Sequence, residues 1–204
     1  MNQNKLLAIY GGTFSPPHLG HIRAAEAFLR ALEPDRLLIV PSAIPPHKAP
    51  VRGASDADRL ELCRLAFSEI PEAEISDIEI RREGRSYTVE TLRALSAAGQ
   101  TLVMLIGTDM FLTLDTWYCA EEIFRLTEIA VIRREKEPQN DLAVARKKAE
   151  YIDRYGARIH EIACDATVIS SSEVRQRLRD GLSTEGYLTA KVEDYIRKWH
   201  LYRD

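Results

Sequence analysis

The stretch Gly11-Gly12-Thr13-Phe14-Ser15-Pro16-Pro17-His18-Leu19-Gly20-His21 follows directly on the apolar run Leu6-Leu7-Ala8-Ile9-Tyr10. An apolar run, a glycine pair, then Ser-Pro and an alanine-rich segment predict a buried strand, a tight turn and a helix start. Gly11 and Gly12 carry no Cβ, so the chain can turn sharply and a ligand's phosphates can approach the main-chain N–H groups. Ser15 is the expected N-cap, with Pro16 at the first helical position, where a missing N–H costs nothing. His18 and His21 then project from one face, beside the positive end of the helix dipole. Such a convergence of donors suits an anion that gains charge during reaction. The glycines do not have GxGxxG spacing, and no Gly-Lys-Ser/Thr follows, so neither a dinucleotide fingerprint nor a Walker A loop is present. The plain alternative is a glycine turn feeding a helix whose histidines only pack.

A chain of 204 residues can bury a full core as one domain over 1–204, with about 170–204 forming a helical C-terminal segment. A net charge of −3 supplies no basic field, so extended nucleic-acid or anionic-membrane binding is not indicated and a small substrate is expected. No stretch approaches the ~18 apolar residues of a membrane span, and the polar first five residues lack a signal-peptide core. Cys63, Cys119 and Cys164 are odd in number and form no Cys-x-x-Cys unit. They read as packed thiols in a reducing cytoplasm rather than as a metal site.

Taken in order, the pattern predicts a helix over 18–32 and a strand over 35–40. Strand, helix and strand at this spacing make a right-handed βαβ unit, hence a parallel sheet and the α/β class. Residues 41–50 carry four prolines and form neither helix nor central strand. They leave the carboxyl end of the second strand, the ligand side of an open α/β sheet, so His47 and Lys48 either lean over a site or face solvent. Ser55-x-x-Asp58 has capping-box form and opens a helix through about 67. Ile75, Ile78 and Ile80 suggest a further strand. Ser86-Tyr87-Thr88 begins a helix to about 98, where its hydroxyls serve either as caps or as ligand contacts. Leu102 to Ile106 is the strongest buried-strand signal and runs into Gly107-Thr108-Asp109. An acidic residue there either accepts from ribose hydroxyls or caps a helix. Trp117-Tyr118 either stacks on a planar ring or packs. A strand over 128–132 ends at Arg133-Arg134, a polar helix spans 140–155, and a last strand spans 158–163.

The second chemical signal is Ile169-Ser170-Ser171-Ser172-Glu173-Val174-Arg175. Ser170 and Glu173 have capping-box spacing, and Arg175 falls in the opening turn, where a cation opposes the dipole and invites a ligand. A terminal helix over 191–200 reads as structural.

With both helix starts in view, the chain resembles the nicotinate mononucleotide adenylyltransferases of the nucleotidyltransferase superfamily. Gly11 to His21 and Ile169 to Arg175 match the superfamily. Pro45-Pro46-His47-Lys48, Ser86-Tyr87-Thr88 and Trp117-Tyr118 narrow it to the nicotinate branch, and Gly107-Thr108-Asp109 and Leu201-Tyr202-Arg203 extend the resemblance along the chain. The resemblance implies a Rossmann-like open sheet with helices on both faces and transfer of AMP from ATP to nicotinate mononucleotide, with Mg²⁺ on the phosphates. It implies catalysis by His18, His21 and Arg175. ATP would lie on Gly11, Gly12, Thr13, Phe14, His18, His21, Gly107, Asp109, Arg133, Arg134, Ser170, Ser171 and Arg175. The mononucleotide would lie on Lys48, Tyr87, Thr88, Trp117 and Tyr118, with no protein metal ligand. Ser15 stands where the family usually has Asp, Ser172 where Thr is common, and Glu135-Lys136 where Pro-Gly is frequent. The alternatives are another phosphate acceptor, nicotinamide mononucleotide or phosphopantetheine, or a nucleotide-binding regulator without turnover.

Overall fold

Strand β4 (Gln100–Gly107) is buried along Leu102 to Ile106 and sits at the centre of the molecule, between β1 (Lys5–Gly12) and β5 (Glu128–Arg133). The computed structural model describes residues 5–44, 53–82, 84–97, 100–133, 138–164 and 169–203. Within them β2 (Arg36–Pro41), β3 (Ala73–Ile75) and β6 (Ile159–Ala163) complete one sheet of order β3-β2-β1-β4-β5-β6. Every neighbouring pair is parallel. This is the Rossmann-like open sheet that the apolar runs predict. Strands buried on both faces need no polar alternation.

Side chains alternate across that sheet with period two. Ala8 and Tyr10 of β1, with Val103 and Leu105 of β4, pack in one apolar cluster with Phe28 of α1 (Leu19–Leu32) and Leu62 of α2 (Asp56–Ala66). Val174 of α8 (Ser171–Arg179) and Val192 and Ile196 of α9 (Ala190–Lys198) join the same cluster, so the C-terminal helices share the core of β1. Leu7 and Ile9, with Leu102 and Met104, face the other way. They meet Leu92 of α4 (Thr88–Leu95), Ile123 of α6 (Ala120–Leu126) and Val144 of α7 (Pro138–Tyr155). No helix among the described residues is long and apolar enough to cross a membrane.

Two local expectations are corrected. Ile75 ends the three-residue β3, and Ile78 and Ile80 lie in a helix, α3 (Ile78–Arg82), not in a strand. The helical turn is closed by the Arg81 N–H, which donates to the Asp77 carbonyl, while the two side chains pair at 2.9 Å. The other correction concerns α1, whose N-cap is His18 and not Ser15. Ser15 precedes Pro16 and Pro16 precedes Pro17, and a residue before proline is driven out of the helical region. The capping box at Ser55 forms as expected, with the Ser55 Oγ accepting from Asp58 N–H at 3.1 Å.

Candidate active site

The sheet order reverses between β1 and β4, and at their carboxyl ends opens a cleft of about 1420 Å³. Its floor is the β1–α1 connection. Gly11 and Gly12 finish the strand with no left-handed conformation; the turn is made at Phe14, with φ 45°, and at the cis Ser15-Pro16 bond. The glycine pair is therefore needed for room rather than for torsion. A Cβ on Gly12 would stand 3.1 Å from the Phe14 ring, and one on Gly11 would project into open space where a ligand can approach.

His18 and His21 come together as the motif predicts. Their rings stack with centroids 3.7 Å apart, and His18 is only 2% exposed. Gly20 between them is explained by the same packing, since its Cβ would lie 3.1 Å from His18 Nδ1. The His18 main-chain N–H donates to His21 Nδ1 at 3.2 Å. A neutral His21 ring therefore carries its proton on Nε2. Phe14 supports that ring edge-on at 4.9 Å.

Three carbonyls of this loop are held by side chains from distant elements. Arg59 NH1 donates to the Thr13 carbonyl at 2.9 Å, Arg175 NH1 to that of Ser15 at 2.6 Å, and Ser171 Oγ to that of Pro16 at 3.0 Å. Ser15 Oγ donates to Tyr202 Oη at 3.1 Å. Burial pushes the Tyr202 phenol up to about 12. Arg59 is 2% exposed and pairs with Asp56 at 2.6 Å; nothing in the sequence marked it, because an arginine on an amphipathic helix reads as surface.

The start of α8 faces the same cleft. Ser170 caps it, accepting from Glu173 N–H at 3.1 Å, and Ser170, Ser171, Ser172 and Arg175 all line the wall. Glu173 does not close the box; its carboxylate accepts from Tyr187 Oη at 2.8 Å. Arg175 is the fifth helical residue, not a first-turn residue, and it reaches back to bridge Ser15 and Ser172.

On the opposite wall Tyr87 is the N-cap residue of α4 and its ring lies 4.8 Å from that of Tyr118. Thr88, Trp117 and Tyr118 line the cleft there. Trp117 follows a 3-10 turn, Leu114–Thr116, whose Asp115 accepts from Tyr151 Oη at 2.9 Å and from Lys147 Nζ at 2.8 Å. These bonds hold the Asp115 carboxyl below its usual range despite the opposing effect of desolvation, which is the largest single influence on it. Asp109 lies exposed in the first turn of α5 (Thr108–Phe111), and Gly107 admits it: a Cβ there would be 2.9 Å from Asp109 Oδ1.

Every expected site residue among those described lines the cleft except Arg133. Its guanidinium is engaged by Asp141 and by Glu161, the latter at 3.2 Å, tying β5 to α7 and β6. Lys48 and Arg134 lie outside the described residues. No group of three or more His, Cys, Asp or Glu there could hold a metal ion. The donors at the phosphate end are imidazole, hydroxyl and guanidinium.

The cytidylyltransferase-like family model matches residues 9–177. A protein of Marinobacter nauticus named "probable nicotinate-nucleotide adenylyltransferase" is 38% identical over 209 aligned positions, covering 95% of each chain. One of the same name from Caldicellulosiruptor saccharolyticus is 34% identical, covering 97% of this chain and 99% of its own. In fold, the chain is similar to a Plasmodium falciparum nicotinic acid mononucleotide adenylyltransferase complexed with NaAD, with a TM-score of 0.75, 18% identity and 97% of each chain covered.

Proposed function

The chain belongs to the cytidylyltransferase-like family and within it to the nicotinate-nucleotide adenylyltransferases, and from that premise we infer how its cleft joins ATP to nicotinate mononucleotide. The products are deamido-NAD and pyrophosphate. One phosphoanhydride replaces another, so the mononucleotide phosphate attacks the α-phosphorus of ATP in line and no protein nucleophile is required. Rate then comes from positioning and charge stabilisation.

The observation that carries this reading is the pair of helix N-termini facing one cleft and tied together by Arg175 and Ser171. At the first, Gly12, Thr13, His18 and His21 surround the phosphorus under attack, with the Nε2–H of His21 as donor. At the second, Ser170, Ser171 and Arg175 receive the β- and γ-phosphates that leave. Asp109 accepts from the ATP ribose. Thr88, Trp117 and the Tyr118 backbone N–H take the nicotinate ring and its carboxylate. A carboxylate differs from a carboxamide by a full charge and by two lost donors, so main-chain N–H groups favour the acid.

Magnesium enters as part of the ATP substrate. It would be held by phosphate oxygens and water, which suits an ion that dehydrates reluctantly. The free thiols of Cys63, Cys119 and Cys164 support a reducing, cytoplasmic setting.

The test is pyrophosphate release by the purified protein with ATP and Mg²⁺, offering nicotinate mononucleotide, nicotinamide mononucleotide and phosphopantetheine in turn. The acid mononucleotide is expected to react fastest. Faster reaction with phosphopantetheine would overturn the assignment, and ATP binding without release from any acceptor would identify a regulator.

A further inference from the structure

Glu79 is a buried carboxylate in the cleft wall with no part in the reaction as described so far. It lies on α3, is 8% exposed, and lines the cleft with Tyr87 and Thr88. Its Oε1 accepts from Thr91 Oγ1 at 2.7 Å, and Thr91 sits one helical turn beyond Tyr87 in α4. The arginine of the same short helix, Arg82, makes no direct ion pair with it. Arg82 donates to Thr91 Oγ1 at 3.2 and 3.3 Å and pairs with Glu90 at 3.3 Å. Among the described residues Glu79 has no ion pair and its Oε2 takes no protein donor, while the residue lines the cleft.

A carboxylate largely removed from water, without a cation, is costly, and it repels an anionic ligand. Its place in the wall of a cleft for a mononucleotide calls for donors that the ligand brings. With the nicotinate ring at Thr88, Trp117 and Tyr118 and its phosphate at Gly12 and His18, the segment that spans the two is the ribose, which presents two neutral vicinal hydroxyls. We propose that Glu79 Oε2 accepts hydrogen bonds from the ribose hydroxyls of the mononucleotide, a counterpart on this side of the cleft to Asp109 on the ATP side. This inference rests on the reaction proposed above.

Glu79→Gln tests it, because the amide oxygen can still accept from Thr91 while the charge is removed. At saturating ATP, the KM for nicotinate mononucleotide is expected to rise about tenfold, the loss of a charge-assisted hydrogen bond, with the KM for ATP and the melting temperature unchanged. For the 2′,3′-dideoxyribose analogue of the mononucleotide, the variant and the wild type are expected to be alike, or the variant better. Coulomb repulsion alone predicts the opposite sign for the natural substrate, since removing a negative charge favours an anion. A KM for nicotinate mononucleotide that is unchanged or lowered would overturn the contact. Equal weakening for the natural and the dideoxy ligands would overturn it too, leaving Glu79 as a brace for Tyr87 and Thr88. Absence of wild-type turnover with nicotinate mononucleotide would remove the reaction itself, and the ribose contact with it, and is seen in the wild-type arm alone.

Discussion

Residues at the starts of α1 and α8 line the same cleft, yet they are set in different surroundings. Phe14, Ser15 and His18 are each at most 2% exposed, and the carbonyls of Thr13, Ser15 and Pro16 are held by side chains from α2 and α8. Ser170 and Ser172 are exposed, and α8 is capped by a lone serine hydroxyl. A helix start is therefore buried at one wall and open to water at the other. A buried, pre-arranged donor set suits the phosphorus that changes bonding, because the donors need not reorganise as charge moves. An open one suits a product that must depart. Arg175 belongs to both, rooted in α8 and hydrogen-bonded to the floor loop.

The comparison breaks most readily at His21. His21→Ala is expected to cut turnover on the order of 10²–10³-fold, the usual cost of one pre-arranged transition-state donor, with circular dichroism and melting temperature near wild type. Turnover within about twofold of wild type would place the chemistry elsewhere than at the α1 start.

A smaller effect is expected at the bridge. Arg175→Lys keeps the charge but cannot reach the Ser15 carbonyl and Ser172 Oγ together, so kcat/KM for ATP should fall roughly tenfold. The fall should be absent from the KM for the mononucleotide. Equal losses on both substrates in steady-state kinetics would show that Arg175 holds the fold of the floor rather than the leaving phosphates.

The smallest effect belongs to Tyr202, which fastens the buried loop through Ser15. Its phenol is pushed up to about 12 by burial, against an ordinary value of about 10. Folding therefore favours the protonated ring. That contribution to stability is full below pH 10 and is lost as the pH rises from 10 towards 12. Denaturant unfolding of Tyr202→Phe should accordingly show a flatter decline of stability across that window than the wild type. Parallel curves would mean that the buried floor owes nothing to this ring's protonation.

Local pattern carried far in this chain. The apolar runs around Leu7, Leu38, Val103, Ile129 and Ile162 each became a strand of one parallel sheet, because a run of that length bounded by turn residues has few other ways to be buried. Ser55 and Ser170 became caps, since a cap needs only an N–H two or three residues away. His18 and His21 met because three-residue spacing on a helix is itself a contact. Where tertiary partners competed, local signals misled. Ser15 has the chemistry of a cap, but Pro17 keeps Pro16 out of the helical region, so no helix starts there, and the Ser15 hydroxyl goes to Tyr202, 187 residues away. Arg133 has the look of a ligand contact, but Asp141 and Glu161 take its guanidinium.

What the sequence by itself determined is the parallel α/β sheet, the two helix starts that line the cleft, and the side of the sheet on which they open. Only the tertiary structure decided that Arg59 would be buried beneath the floor loop, that Arg175 would span both helix starts, and that Glu79 would line the cleft with no ion pair among the described residues. Strands, caps and helix faces depend on neighbours within a few positions, whereas a buried polar group is satisfied by whichever distant donor the packing brings to it.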